Sequence, residues 1–145
     1  MTISEVIQKF TEGEAITIGD KQFDPTSFDE IRLDSGEMLF FAEDEQQGVL
    51  LSMDEESDEV ILFQKIEEEI EIEDDIVVYG GVDYELSLEG SGQVLLNGVE
   101  SETITFQDFE AGNGGKFRVV QYEVTGETRM WAGDVIMEED IKEIL

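Results

Sequence analysis

A chain of 145 residues with 38 acidic and eight basic side chains carries a net charge of −30, a field that repels nucleic acid, anionic membranes and phosphorylated substrates and attracts cations, polyamines and basic protein faces. It contains no His and no Cys, which removes Ser–His–Asp and Cys–His catalysis, thiol chemistry and His-ligated transition metals. Forty per cent hydrophobic residues, nine Phe among them, set it apart from acidic disordered chains and supply one domain, 1–145, with a core.

The opening MTISEVIQKF has no basic n-region and no continuous apolar h-region, so no signal peptide is expected. No apolar run approaches the roughly eighteen residues of a membrane span, so direct membrane insertion is not expected. Cytoplasmic residence is the default expectation. Within the same stretch Ile3, Val6, Ile7 and Phe10 stand at helical spacing. They predict a short helix capped by Thr2 or Ser4.

Past residue 14 the period changes to that of strands. Short β-type runs are read at Ala15–Ile18, Phe28–Leu33, Glu37–Ala42, Gly48–Met53 and Glu59–Ile66. A second set follows at Ile76–Tyr79, Val82–Leu88, Gln93–Leu96, Glu102–Phe109, Lys116–Val124, Glu127–Ala132 and Asp134–Met137. Ser35-Gly36, Gly80-Gly81, Asn97-Gly98, Asn113-Gly114 and Thr125-Gly126 supply hairpin turns, and Pro25, the only proline, falls in a loop. The closing MEEDIKEIL fits either a helical turn or a final strand. The fold class these elements define is all-β, an antiparallel barrel or sandwich with a small N-terminal helix.

The two sets of strands echo each other. LFFAEDEQQGVLLSMDEESDEVILFQKIEEEI is matched in order by TFQDFEAGNGGKFRVVQYEVTGETRMWAGDVIMEEDI, and ITIGDKQF by VVYGGVDYEL. Two β halves, about 15–73 and 76–145, are the corresponding expectation, with shared hairpin grammar as the alternative.

Between the halves lies EEEIEIEDD, residues 67–75, with seven carboxylates and two isoleucines. Ile66, Ile70, Ile72 and Ile76 share one parity and Glu67, Glu69, Glu71, Glu73 and Asp75 the other, which predicts a half-buried strand with a carboxylate row in water. Such a row does not converge on a single ion, since Ca²⁺ takes six to eight oxygens at about 2.3–2.6 Å. It suits a solvated edge strand or a docking face for a basic partner.

Other motifs are weaker. DEESDEVILFQK, 54–65, resembles an EF-hand loop but has Glu59 where Gly is needed and Lys65 where a bidentate Glu is needed. That leaves Asp54, Glu55, Glu56 and Asp58 as a solvated turn or a loose divalent-cation site, and no metal or cofactor is expected. GNGGK, 112–116, lacks the Ser/Thr and helix of a phosphate loop and reads as a hairpin turn. Trp131, the only Trp, either shares an exposed face with Arg129 or lies in the core with Met130 outside. Residues 43–75 hold fifteen acids and only Lys65, whereas Lys116, Arg118, Arg129 and Lys142 lie in the last third. Carboxylate pairs are too abundant to mark a hydrolase, and no catalytic residues are assigned.

From Ile76 onward, VVYGGVDYELSLEGSGQVLLNG, ETITFQDFEAGNGGKFRVVQYE and WAGDVIMEEDIKEIL resemble the bacterial domain-of-unknown-function family numbered forty-one seventy-eight. Its opening hairpin is similar to Gly81–Leu86, its aromatic-x-Asp-aromatic strand to Phe106–Phe109 and its closing segment to Gly133–Leu145. The resemblance implies a small, β-rich, acidic accessory or binding module without established activity, encoded near membrane-stress and polyamine-biosynthesis proteins. It carries over no catalytic residue.

Two function classes follow. The first is a non-enzymatic module whose acidic face, centred on Glu67, Glu69, Glu71, Glu73 and Asp75, docks a basic protein or polyamine. The second is a nucleic-acid mimic that occupies the site of a DNA-binding protein, for which same-face carboxylates about 6.6–6.8 Å apart along a strand give the charge spacing.

Overall fold

The computed structural model describes residues 1–96 and 98–144 of the chain. The one α-helix among the described residues, α1 (Ile3–Thr11), starts at Thr2 with a capping box. The Thr2 hydroxyl accepts from the Glu5 N–H at 3.2 Å and the Glu5 carboxylate accepts from the Thr2 N–H at 3.0 Å. Two of the orphan donors of a helix start are thereby satisfied. The helix buries Ile3, Val6 and Phe10, the face set by the spacing of its apolar residues.

The strands are β1 (Ile16–Ile18), β2 (Lys21–Phe23), β3 (Ser27–Leu33), β4 (Met38–Asp44), β5 (Val49–Asp54), β6 (Glu59–Ile66), β7 (Ile72–Glu73), β8 (Ile76–Tyr79), β9 (Val82–Leu96), β10 (Val99–Ala111), β11 (Lys116–Tyr122), β12 (Thr128–Ile136) and β13 (Ile141–Glu143). Eight of them close an antiparallel barrel in the order β3-β4-β5-β6-β12-β11-β10-β9, with β9 pairing back to β3. Of the two architectures the sequence left open, the barrel is the one formed. Closure removes the free sheet edges that a sandwich would leave. A separate three-stranded sheet, β13-β1-β2, lies beside it, and β7 and β8 extend β9 outward.

Several strand bounds differ from the sequence reading. β2 was not expected. Val82–Leu88 and Gln93–Leu96 are one fifteen-residue strand, β9, whose pairing with β10 slips by one residue between Asp108 and Phe109. A bulge of this kind bends a long strand around a barrel without ending it. Glu127–Ala132 and Asp134–Met137 are likewise one strand, β12, which runs through Gly133. The closing segment is both things at once, a 3-10 turn at Glu138–Asp140 followed by β13. Gly36, Gly80, Gly81, Gly98, Gly114 and Gly126 all have positive φ, as their turns require. Asn97 lies outside the described residues.

The barrel consists of two four-stranded meanders, β3–β6 and β9–β12, joined antiparallel at two seams, β6 with β12 and β3 with β9. The same order extends outside it. Each half begins with a hairpin, β1–β2 or β8–β9, in which Ile16 faces Phe23 and Val77 faces Tyr84. Each half also ends with a short strand that pairs with the first strand of the other half, β7 with β8 and β13 with β1. At the β6–β12 seam Leu62 pairs with Asp134 and Gln64 with Ala132, so an approximate twofold passes through the central pair, Phe63 and Gly133. Each seam has a glycine at a position where a Cβ would meet the backbone of the facing strand. A Cβ on Gly133 would lie 2.0 Å from the Leu62 carbonyl oxygen, and one on Gly92 2.7 Å from that of Arg32.

Three apolar clusters hold this together. The barrel interior draws on all eight strands, through Ile31, Leu39, Phe41, Leu50, Phe63, Val94, Ile104, Val120 and Trp131 among others. Outside, α1 covers Phe40, Ala42, Leu51, Met53 and Val60 of the first meander, joined by Ile16, Phe23 and Ile141. Fully burying a residue such as Phe10 contributes about 1.5–3 kcal/mol. No α-helix among the described residues covers the second meander. There Ile70, Ile72, Tyr79 and Tyr84 pack on Phe109, Phe117 and Val119, and farther along the same strands Thr105, Gln107 and Gln121 face outward and need no cover.

Candidate functional site

The acidic stretch differs from its sequence reading in geometry and agrees with it in exposure. Glu67–Glu71 has no strand structure, and only Ile72–Glu73 forms a strand, β7, at the end of the sheet order. The predicted row of Glu67, Glu69, Glu71, Glu73 and Asp75 is therefore not a regular strand face, and its 6.6–6.8 Å repeat is absent from Glu67–Glu71. The reason lies in the anchors. Ile70 and Ile72 reach the outer cluster of the second meander, and Asp74 and Asp75 turn the chain with φ of 51° and 61°. Two successive left-handed residues make the tight turn of a two-residue hairpin, a conformation Asp tolerates better than most residues. All seven carboxylates of residues 67–75 remain exposed, and none enters an ion pair among the described residues.

The other motifs find local roles. The Asp54 carboxylate caps its own turn by accepting from the Glu56 N–H at 3.0 Å and the Ser57 N–H at 3.4 Å. No group of three or more carboxylates is arranged to hold a metal ion among the described residues. The GNGGK segment is the β10–β11 turn, with Asn113 Oδ1 accepting from the Gly115 N–H at 2.9 Å. Trp131 is a core residue, 1% exposed, and Met130 packs outside the barrel. Arg129 shares the inward face but lies farther out, where its guanidinium stacks on Tyr122, 5.0 Å from the ring centre, rather than on Trp131.

Arg129 belongs to a charged cluster at one mouth of the barrel that sequence reasoning missed. Asp29 on β3, Glu43 on β4, Glu102 on β10 and Arg129 on β12 share the parity of the interior residues Ile31, Phe41, Ile104 and Trp131, and Tyr122 on β11 packs against the same cluster. Arg129 donates to Glu43 at 3.2 Å and to both oxygens of Glu127, at 3.0 and 3.2 Å. Burial pushes the Asp29 and Glu43 carboxyls above their ordinary values, with Arg129 pulling both back. Burial also pushes the Tyr122 hydroxyl up to about 12. Glu102 Oε1 is buried and accepts no hydrogen bond from the described residues. The arrangement places Glu43, Glu127 and Asp29 around one guanidinium. The only signal in the sequence was inward parity, and the parity of residues at strand ends cannot be read before the register is known.

At the opposite end Arg118 is buried, with Nε and Nη2 on Asp108 at 2.7 and 2.9 Å and Nη1 on Ser52 at 2.7 Å. Phe41 and Phe63 lie against its guanidinium at 5.3 and 5.0 Å. Each of the three guanidinium nitrogens has a hydrogen-bond partner within the fold, which marks this group as part of the barrel's packing.

A groove of about 580 Å³ lies outside the barrel along the β6–β12 seam. Its floor is Leu62, Gln64, Ala132 and Asp134, two residues from each side of the approximate twofold. Phe23 and Tyr84, the matching residues of the two hairpins, stand at its walls, with the β4–β5 and β10–β11 turns at its ends. The volume falls within the roughly 300–1,000 Å³ of small-ligand sites.

No protein-family model matches this chain, and no curated protein or solved structure is significantly similar to it. The resemblance of residues 76–145 to the family named above therefore rests on its motifs alone.

Proposed function

We propose that this protein is a non-enzymatic docking module that binds a cationic partner, a basic protein surface or a polyamine, through the exposed carboxylates of residues 67–75. The observation that carries this reading is their freedom from internal neutralisation. Five of the eight bases, Lys9, Arg32, Lys116, Arg118 and Arg129, are held in ion pairs elsewhere in the fold, while seven carboxylates stand exposed within nine residues. The segment's shape is compatible with docking because Ile70 and Ile72 fix it to the barrel, so it presents charge without the entropy loss of ordering a free tail. Encounter with a cationic surface is accelerated by the −30 field and weakened by salt.

The test is a titration of the ¹⁵N-labelled protein with oligolysine. The amide resonances of Glu67–Asp75 move first and saturate, and the effect fades at high salt. Shifts spread evenly over all acidic surfaces, with no preference for this segment, contradict the reading.

A further inference from the structure

The end of the barrel that holds Arg118 is open, and apolar side chains line the opening. Leu88 pairs with Asp108 and Val135 with Ile61, so Leu88 shares the inward parity of Phe106 across the pair and Val135 that of Trp131 along β12. Inward-facing aliphatic side chains of a small barrel normally fill it and are buried. These two are 55% and 44% exposed. Two hollows of about 60 and 170 Å³ lie at this mouth, both lined by Glu59, Ile61, Leu88 and Asp108. Leu33, Leu39 and Phe106 wall the smaller one, which reaches Arg118, and Phe63 and Lys116 line the larger.

The charges of this mouth are ordered by depth. Arg118, 4% exposed, lies deepest and is neutralised by Asp108, and Lys116 is held by Glu110 at 3.0 Å. At the rim Glu37 precedes β4, Asp54 ends β5 and Glu59 begins β6. No base pairs with any of these three carboxylates among the described residues. The ligand that matches this order has an apolar tail for the interior and one positive charge for the rim. An anion is repelled by the three carboxylates, and a neutral molecule of the same shape leaves them without a counter-charge. Depth also decides between cations. A lysine side chain enters with its ammonium leading, and a diamine buries one of its two, in either case beside Phe106 and the Arg118 guanidinium, where a charge without a partner is costly. A monoamine enters tail first and leaves its ammonium among Glu37, Asp54 and Glu59.

We propose that this mouth of the barrel is a second binding site, which takes a small primary alkylammonium with its tail against Ile61 and Leu88 and its ammonium at the rim carboxylates. The larger hollow, about 170 Å³, holds five or six groups the size of a water at about 30 Å³ each, which sets the tail at about five carbons. No residue of 67–75 lines the site, and it does not depend on docking there. Because the head is charged and lies at the rim, binding weakens as salt is added.

The experiment uses the full chain labelled at its Ile, Leu and Val methyl groups and n-pentylammonium chloride, titrated to about 10 mM, where a millimolar Kd is visible. Saturable shifts are expected at the methyls of Ile61, Leu88 and Val135, fading at high salt. 1-Pentanol binds there severalfold more weakly, and pentane-1,5-diammonium by about tenfold or more, because its second charge has no partner at the floor. Leu88→Lys, at an exposed position that tolerates a charge, places a cation in the mouth and removes binding. Glu59→Gln weakens it severalfold and makes its salt dependence shallower. Neutralising Glu67, Glu69, Glu71, Glu73 and Asp75 leaves pentylammonium binding intact, so failure of the docking reading and failure of this one are separable. Absence of saturable shifts at these methyls, shifts indifferent to Leu88→Lys, or binding of the alcohol or the diammonium as tight as that of the monoamine overturns the proposal.

Discussion

Arg129 and Glu43 face each other inside one mouth of the barrel, with Nη1 3.2 Å from Oε1. They come from strands on opposite sides of the β5–β6 pair, and their meeting depends on the barrel being closed. Arg129 is the guanidinium that offsets Asp29 and Glu43 together. Its side chain is 28% exposed and that of Glu43 12%, so solvent screens part of the interaction. Arg129→Met leaves the carboxyls without their cation and is expected to lower stability by about 1–3 kcal/mol, below the 3–5 of a fully buried pair. Glu43→Gln, which removes a charge instead of stranding one, costs less. Urea unfolding of the two variants measures the order.

The same mouth sets a pH dependence. Asp29 and Glu43 have folded-state values raised by burial, so the folded state holds their protons more tightly than the unfolded chain does. That contribution to stability is fully present below the ordinary carboxylate range and is lost as pH rises through the raised values. Asp44, lowered by hydrogen bonds from the Asp24 N–H and from Gln47 that outweigh its burial, acts in the opposite sense and loses its contribution in acid. Thermal stability is therefore expected to increase from neutral pH into the mildly acidic range and to fall below it. Asp29→Asn flattens the rise between neutral and mildly acidic pH. A calorimetric series across pH checks both.

Self-repulsion gives a third expectation. With 38 acids and eight bases, the compact state is opposed by its own field, and salt screens that field over a Debye length of about 10 Å at 0.1 M. The melting temperature is expected to climb between low and molar salt. A flat profile would show that the charges are spaced too widely to matter.

Gly133 is required by the β6–β12 seam. An added Cβ would sit 2.0 Å from the Leu62 carbonyl oxygen and 2.7 Å from the Phe63 Cα, both backbone atoms that cannot rotate away. Gly133→Ala is expected to destabilise by about 1–3 kcal/mol or more, the range of overpacked positions. Ala at Gly112, which has open space and no positive φ, is the control and changes little. Chemical denaturation of the pair distinguishes them.

Much of the architecture was legible because it is local. The spacing of Ile3, Val6 and Phe10 with Thr2 ahead of them specifies α1 and its cap, and alternation with turn glycines specifies most strands. The echo of ITIGDKQF in VVYGGVDYEL corresponds to two hairpins paired in the same register. Gly133 was read as a break between strands, because a glycine that ends a strand and one that lets two strands approach look alike in sequence. The strand expected at residues 66–76 shows the limit of periodicity. The isoleucines alternate correctly, yet β7 is two residues long because the chain has only β8 to pair with. The barrel-mouth cluster and the groove were not legible at all, since each assembles residues from both halves and exists only once the register at the seams is set.

The central claim concerns residues 67–75, and the most direct measurement is the affinity of oligolysine for the native chain and for the variant Glu67→Gln, Glu69→Gln, Glu71→Gln, Glu73→Gln, Asp75→Asn. Both are compared by calorimetry at low salt. These five substitutions leave most of the negative charge in place, so a general field effect changes the affinity little. The account predicts a loss of about tenfold or more, about 1.4 kcal/mol, and a shallower dependence on salt. An affinity and salt dependence unchanged from the native chain would contradict it.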